Sequence, residues 1–337
     1  MTVIQFPTYD ELPEPIPGYK CSWDYFNSLH TSSAGSRDAL GTLNFITPER
    51  RQGALQAVQS GETISLDLPL GYFAPEASAF GGRPPPKHSV IPVIPCCFED
   101  SIDFNTQSAS QWDGFRHFGL PPKYKEGPCI YYNNWTAEDI KSSNEIGTDA
   151  WMRAGGIVSR GVLIDFYRWA ESNGEQVEPN GGRSISLDDI QAILKSQGTR
   201  VQPGDILIFR TGWLKWYSGE DPYLRHSYMC DRQAPGTHAF IGVEASRQLV
   251  QWLWESQIAA VAGDQVAFES TPFNGNGFGS LHEHLLGAIG CPIGELWDTE
   301  ALATACESRQ SWTFLLTASP LHVLGGVASP ANAIALL

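Results

Sequence analysis

RAGGIVSRGVLIDF, residues 153–166, carries an apolar run that ends at Ile164, Asp165 and Phe166. It reads as a buried strand whose acidic residue emerges at its end. Working outward, SLDDIQAILKSQG (186–198) has the signals of a capped helix. Ser186 can accept from the N3 amide, Asp188 and Asp189 sit in the positive first turn, and Gly198 is placed to stop the helix. VQPGDILIFR (201–210) follows as turn and strand, VEASRQLVQWLWES (243–256) spaces its apolar residues helically, and QIAAVAGDQ (257–265) reads as another short buried strand. The recurring order of strand, helix and strand predicts an α/β fold. A doubly wound nucleotide-binding sheet fits poorly, because the first half is β-rich and neither G-x-G-x-x-G nor G-x-x-x-x-G-K-[ST] occurs.

Toward the N-terminus, residues 1–57 show few periodic apolar runs but hold Tyr19, Trp23, Phe26 and Phe45. They read as an extension packed on a core formed by residues 58–337, with Pro48 opening a helical turn over 48–58. ETISLDLPL (62–70) alternates as a half-buried strand does. GGRPPPKHS (81–89) is too rich in Gly and Pro for a regular element, which makes His88 a surface loop residue.

The bulk properties exclude several function classes. A chain of 337 residues buries roughly 75% of its extended surface, so neither metal nor disulfide is needed to hold it together. Twenty-two basic residues against 37 acidic ones give a net charge of -15, which opposes nucleic acid and anionic membrane as partners. Seven cysteines without a C-x-x-C spacing fit a reduced, cytoplasmic setting. No basic leader followed by an apolar core opens the chain, and no apolar run reaches membrane-spanning length.

Two constellations carry the chemistry. In Q107-S-A-S-Q-W-D-G-F-R-H117, an extended backbone turns Gln107, Gln111, Asp113 and His117 to one side. A carboxylate, an imidazole and amide oxygens together suit a hard-to-borderline metal ion. A hydrogen-bonded turn near Gly114 is the plain alternative. In L281-H-E-H-L-L-G-A-I-G-C-P-I-G-E295, a helix would pack by Leu285, Leu286 and Ile289 and splay His282 from His284, leaving one histidine for function. Glu295 joins it if Gly290-Cys291-Pro292 reverses the chain.

These residues resemble the signature H-x-G-T-H-x-D-x-P-x-H of the cyclase family, which includes bacterial kynurenine formamidases (arylformamidases) and isatin hydrolases. PGDILIFRTGW (203–213), the segment ending VAGDQ at 265 and LHEHLLGAIGCPIGEL (281–296) match further, so the resemblance spans about 105–300. It implies a swivelling β/β/α fold with residues 58–337 as the catalytic domain, an Asp113 metal ligand, a catalytic His117, and His282 and Glu295 as later metal partners. The family's first two histidine ligands fall on Gln107 and Gln111, and its proline on Phe115. An amide oxygen is a weaker zinc ligand than imidazole and prefers harder ions such as Mn²⁺, Mg²⁺ or Ca²⁺, so the resemblance implies a divalent metal, zinc or manganese among the candidates, with weaker water activation than a histidine-ligated site provides. Three readings stay open: a metal held mainly by Asp113, His282 and Glu295; a shifted site recruiting His88 or Gln111; and metal-free acid–base chemistry.

The expected reaction is metal-assisted hydrolysis of a nonpeptide C–N bond in a small cyclic or aromatic amide or lactam. A lactone hydrolase, a dehydratase or cyclase, and a catalytically reduced small-molecule-binding protein are the alternatives. Trp112, Phe115, Phe118, Tyr131, Tyr132, Trp213 and Trp216 are candidate apolar lining, Arg116 a candidate carboxylate contact and His238 a loop residue able to enter the pocket. Asp264 and Gln265 read as support. By analogy with the family, a homodimer or homotetramer is expected.

Overall fold

The computed structural model describes residues 5–29, 37–73, 83–121, 127–221, 225, 239–272 and 277–337. Among them, nine strands form one mixed sheet. Its spatial order is Thr63–Ser65, Ala333–Leu336, Thr313–Ala318, Ile157–Asp165, Ile206–Arg210, Ala260–Gly263, Ile293–Glu295, Gln111–Asp113 and Ala328–Pro330. The four strands from Ile157–Asp165 to Ile293–Glu295 run parallel and the flanking ones antiparallel, so the fold is the mixed α/β kind expected.

The elements follow their local signals. Ile157–Asp165 is the buried strand, and the Asp165 side chain accepts from Arg168 N to cap the helix Phe166–Ser172. Ser186 and Asp189 form a reciprocal capping box on Leu187–Ser196, and Gly198 after it takes a φ of +60°. Pro48 opens Pro48–Ala54 with Thr47 as its cap. One expectation fails: His88 lies in a strand, Lys87–Ile94, which pairs antiparallel with Cys97–Asp103 as a hairpin. The prolines of GGRPPPKHS stop just before it, and the β-branched run after Lys87 takes over.

The N-terminal segment does more than cover the core. Ser22 N donates to Ala288 O, Ser22 Oγ to Ile289 O at 2.8 Å and Trp23 Nε1 to Gly287 O at 3.0 Å. These three carbonyls end the helix that follows His282, and one backbone amide and two side chains some 265 positions away in sequence satisfy them. Thr42 N and Thr42 Oγ1 both donate to Gly290 O, fastening the turn that comes next.

Candidate active site

Two short strands build the site floor. Gln111–Asp113 and Ile293–Glu295 pair antiparallel with Asp113 opposite Ile293 and Glu295 opposite Gln111. Because side chains alternate along a strand, Gln111, Asp113 and Glu295 share one face while Trp112 and Gly294 share the other. The chain reversal at Gly290, with φ +67°, delivers Glu295 to this place.

Only Gln111–Asp113 is extended, so the period-two argument for residues 107–117 holds over three residues alone. His117 arrives differently: a turn closed by His117 N donating to Gly114 O brings its ring back to the carboxylate. His117 Nε2 and His282 Nε2 each lie 3.8 Å from Asp113 Oδ2, and His282 Nε2 is 3.1 Å from Glu295 Oε1. Gln107 Nε2 donates to Asp113 Oδ1 at 2.7 Å, and Gln111 Nε2 donates to Glu295 Oε2 at 2.9 Å. All six residues proposed from sequence for metal binding or catalysis thus meet in one place.

A seventh was missed. Glu269 is buried, and its Oε2 accepts from His282 Nδ1 at 2.8 Å. This fixes the ring so that Nε2 faces Asp113 and Glu295, the role that carboxylates behind metal-ligating histidines commonly play. Nothing in VAFES around position 269 announces it, because the contact depends on packing between separate segments.

The helix Glu283–Ile289 is wound with the wide π pitch and begins directly after His282. His284 leaves the site. Its ring stacks on Phe278 at 3.8 Å, with Nε2 2.6 Å from Phe278 O. Burial pulls its pKa down to about 4, so the folded protein keeps it neutral where the unfolded chain, near 6.5, takes a proton. Its contribution to stability is therefore complete above about pH 6.5 and lost as pH falls toward 4, by about 3 kcal/mol in total. His284→Gln should flatten the pH dependence of the unfolding free energy over that window, measured by urea titration. An unchanged slope would refute this account.

The electrostatics divide the labour. Burial alone would raise the Asp113 carboxyl, but His117, His282 and Arg83 outweigh it and hold it below its ordinary value. Burial opposes charge on His282 too, yet Glu269, Asp113 and Glu295 keep it well above the imidazole range. Burial, then the charge of Asp113, pushes Glu295 up to about 7. His117 is the opposite case: burial lowers it more than Asp113 raises it, leaving a neutral ring. Its side chain is also the more accessible of the two, 23% exposed against 10% for His282.

This donor set fits a divalent ion. Donor atoms of Asp113, His117 and His282 all lie within 4.8 Å of one another, and Glu295 borders them. Three buried carboxylates, Asp113, Glu269 and Glu295, surround the imidazoles, an excess of negative charge that a cation offsets. Gln111 Oε1 is buried without a hydrogen-bond partner, an unmet acceptor beside them.

Most of the proposed substrate contacts are core instead. Trp112 points away from Asp113 and packs edge-on against Trp297 and Trp151. Phe115 packs on Tyr132 and Trp151, and Trp213 stacks on Tyr217 at 5.0 Å. The Arg116 guanidinium is spent on the backbone carbonyls of Ser143, Glu145 and Ile140, which removes it as a carboxylate receptor. His238 lies outside the described residues. His88 sits on the exposed hairpin, with Nε2 3.0 Å from Asp100, and takes no part in the cluster. Among the described residues Phe118 is an aromatic beside the cluster, its ring 5.5 Å from that of His282 and 6.2 Å from that of His117, and 37% exposed. Asp264 supports as expected, accepting from Thr211 N, Thr211 Oγ1 and Gly212 N.

Comparison with known proteins agrees with this fold. A crystal structure described as a novel cyclase is 28% identical, with a TM-score of 0.76, over 94% of this chain and 99% of that one. An isatin hydrolase bound to the product analogue thioisatinate superposes with a TM-score of 0.58 at 15% identity, over 87% of this chain and 99% of that one. Isatin hydrolase A from Labrenzia aggregata does so with 0.52 at 16%, over 84% and 94%, and at such identities the likeness concerns the fold. Curated proteins give no match. The Cyclase family profile matches residues 50–270, about two thirds of the sequence, so this chain belongs to the cyclase family.

Proposed function

We propose that this protein hydrolyses a nonpeptide C–N bond in a small cyclic or aromatic amide or lactam, with the help of a divalent metal. The observation that carries the reading is the pairing of a neutral, partly accessible His117 with a buried, carboxylate-rich cluster 3.8 Å away. Asp113, His282 and Glu295 would hold the ion, with Gln111 Oε1 as an available oxygen ligand. When bound, a divalent ion polarises a carbonyl and acidifies water. His117 accepts the proton of the attacking water at a ring nitrogen and returns it to the leaving nitrogen. Glu269 keeps His282 oriented, and Phe118 offers an aromatic face to a flat substrate. Isatin hydrolases among the structural neighbours make cyclic aryl amides the first substrates to try.

His117→Asn is expected to lower kcat by about 10²–10⁴-fold, the usual contribution of a general base, while ion content and unfolding midpoint stay near wild type. Isatin, aryl formamides, lactams and lactones form the substrate panel, with bound metal measured by elemental analysis. Unchanged kcat at saturation would remove His117 from the base role.

One observation favours a second reading, a small-molecule-binding protein that has lost catalysis. The Gln107 and Gln111 amide nitrogens already donate to Asp113 and Glu295, a way to satisfy these carboxylates without an ion. Absence of both a stoichiometric ion and turnover across the panel would select it.

A further inference from the structure

A cavity of about 360 Å³ opens in the N-terminal segment, and none of Asp113, His117, His282 and Glu295 lines it. Pro13, Pro15, Ile16 and the nearly buried Trp23 give it an apolar wall, while Asp24 and Arg37 bring one carboxylate and one guanidinium to it. Neither of these two charges forms an ion pair among the described residues. Arg37 lies over the Trp135 ring at 4.5 Å and donates from Nη1 to Asn134 O at 3.3 Å. The floor is rigid. Asn27 and Asn133 exchange two amide hydrogen bonds, both at 2.8 Å, and Asn133 also donates to Asp38 O at 3.0 Å. Asn133 and Asn134 hold left-handed backbone at φ +59° and +61°, a conformation that non-glycine residues keep only where their surroundings over-determine it.

We propose that this cavity binds a small amino-carboxylate zwitterion, with its ammonium at Asp24, its carboxylate at Arg37 and its hydrocarbon chain against Trp23 and the prolines, and that the bound molecule stiffens the distal half of the active site. The ligand class follows from the lining. The volume suits a small molecule, and apolar walls with a few placed polar groups are what such sites present. A simple anion meets a like charge in Asp24 and a simple cation meets one in Arg37, whereas a molecule bearing both charges answers both. The net charge of -15 further disfavours an anion alone.

The cavity is tied to the site through its own walls. Trp23 lines it and donates from Nε1 to Gly287 O at 3.0 Å, in the helix that follows His282. Asn133 follows Tyr132, whose ring packs on Phe115 at 4.6 Å and whose hydroxyl donates to Asp38 Oδ2 at 2.9 Å. The same Asp38 oxygen accepts from Gly41 N at 2.6 Å, and Gly41 presses on Gly290, where the reversal leading to Glu295 begins. Ordering the cavity wall therefore suppresses local opening of the segments that carry His282 and Glu295. Ring opening of an aliphatic lactam releases a molecule of this class, so on the function proposed above the cavity would respond to product; the binding itself does not rest on that reading.

The test is calorimetric titration of the intact protein, checked by ligand-observed NMR, with 4-aminobutanoate and L-valine beside the singly charged butanoate and butylamine. Wild type is expected to bind at least one zwitterion at a single site, and the singly charged analogues about tenfold or more weakly, the effect of losing one charge-assisted hydrogen bond. Asp24→Asn and Arg37→Gln should each weaken zwitterion binding by a similar factor, with far-UV circular dichroism unchanged because both side chains are exposed. Hydrogen exchange gives the second readout: amides of 283–295 should slow on binding in wild type and not in the two variants. No binding up to about 10 mM, equal affinity for butanoate or butylamine, or undiminished affinity in both variants overturns the site. Binding that leaves exchange at 283–295 unaltered overturns the coupling. Turnover enters none of these measurements, so a failed substrate panel and a failed ligand site are told apart.

Discussion

Asp113→Asn is expected to remove both bound divalent ion and turnover, the latter by on the order of 10³-fold or more, as when one member of a group acting as a unit is lost. The reason is positional. Asp113 is fully buried at the centre of the cluster, within 3.8 Å of both His117 and His282, and it accepts from Gln107. Asn keeps the shape and a carbonyl oxygen but deletes the charge that raises imidazole basicity on either side. The fold should survive, because His282 retains Glu269 at 2.8 Å and Glu295 at 3.1 Å. Glu295 supplies an internal check. Part of its elevation to about 7 comes from the charge of Asp113, so its carboxyl should titrate lower in the variant, read by carboxyl-selective NMR. Retained ion and turnover would show that the cluster is not organised around Asp113.

The second large effect lies far from the chemistry in sequence. Gly41→Ala should cost about 3–5 kcal/mol of stability, from a left-handed backbone and from overpacking against a fixed neighbour. Gly41 has φ +54°, and a Cβ there would fall 1.9 Å from Gly290 O, a backbone atom with no flexible end to move aside. That carbonyl is the one Thr42 holds, and Gly290 begins the reversal leading to Glu295. Activity should therefore fall with stability, through displacement of Glu295. Guanidinium unfolding compared with Gly53→Ala, whose Cβ would meet nothing within 4 Å, separates the close approach from a general glycine effect. Equal losses in the two variants would show that the N-terminal segment does not clamp this turn.

The α/β alternation, the capped helix after Ser186 and the divergence of His282 from His284 were legible in the sequence, because each follows from local periodicity or capping, which are properties of neighbouring residues. The convergence of Asp113, His117, His282 and Glu295 was implied there only by the family resemblance, since it needs the reversal at Gly290 and the turn at Gly114 to bring distant segments together. Tertiary structure alone decided which aromatics face the site. Trp112 and Phe115 adjoin Asp113 in sequence, yet strand alternation and the turn at Gly114 send them into the core, whereas Phe118 stays at the surface beside His282. It alone decided that Arg116 serves backbone carbonyls, that Glu269 orients His282, and that residues near 22 and 42 cap the helix and turn carrying the distal half of the site. Those contacts join segments separated by up to 267 positions, and their existence depends on how the sheet and its N-terminal cover pack together. A buried carboxylate or a glycine in close backbone contact has no signature in its immediate neighbours, because the atoms that define its role come from elsewhere in the chain.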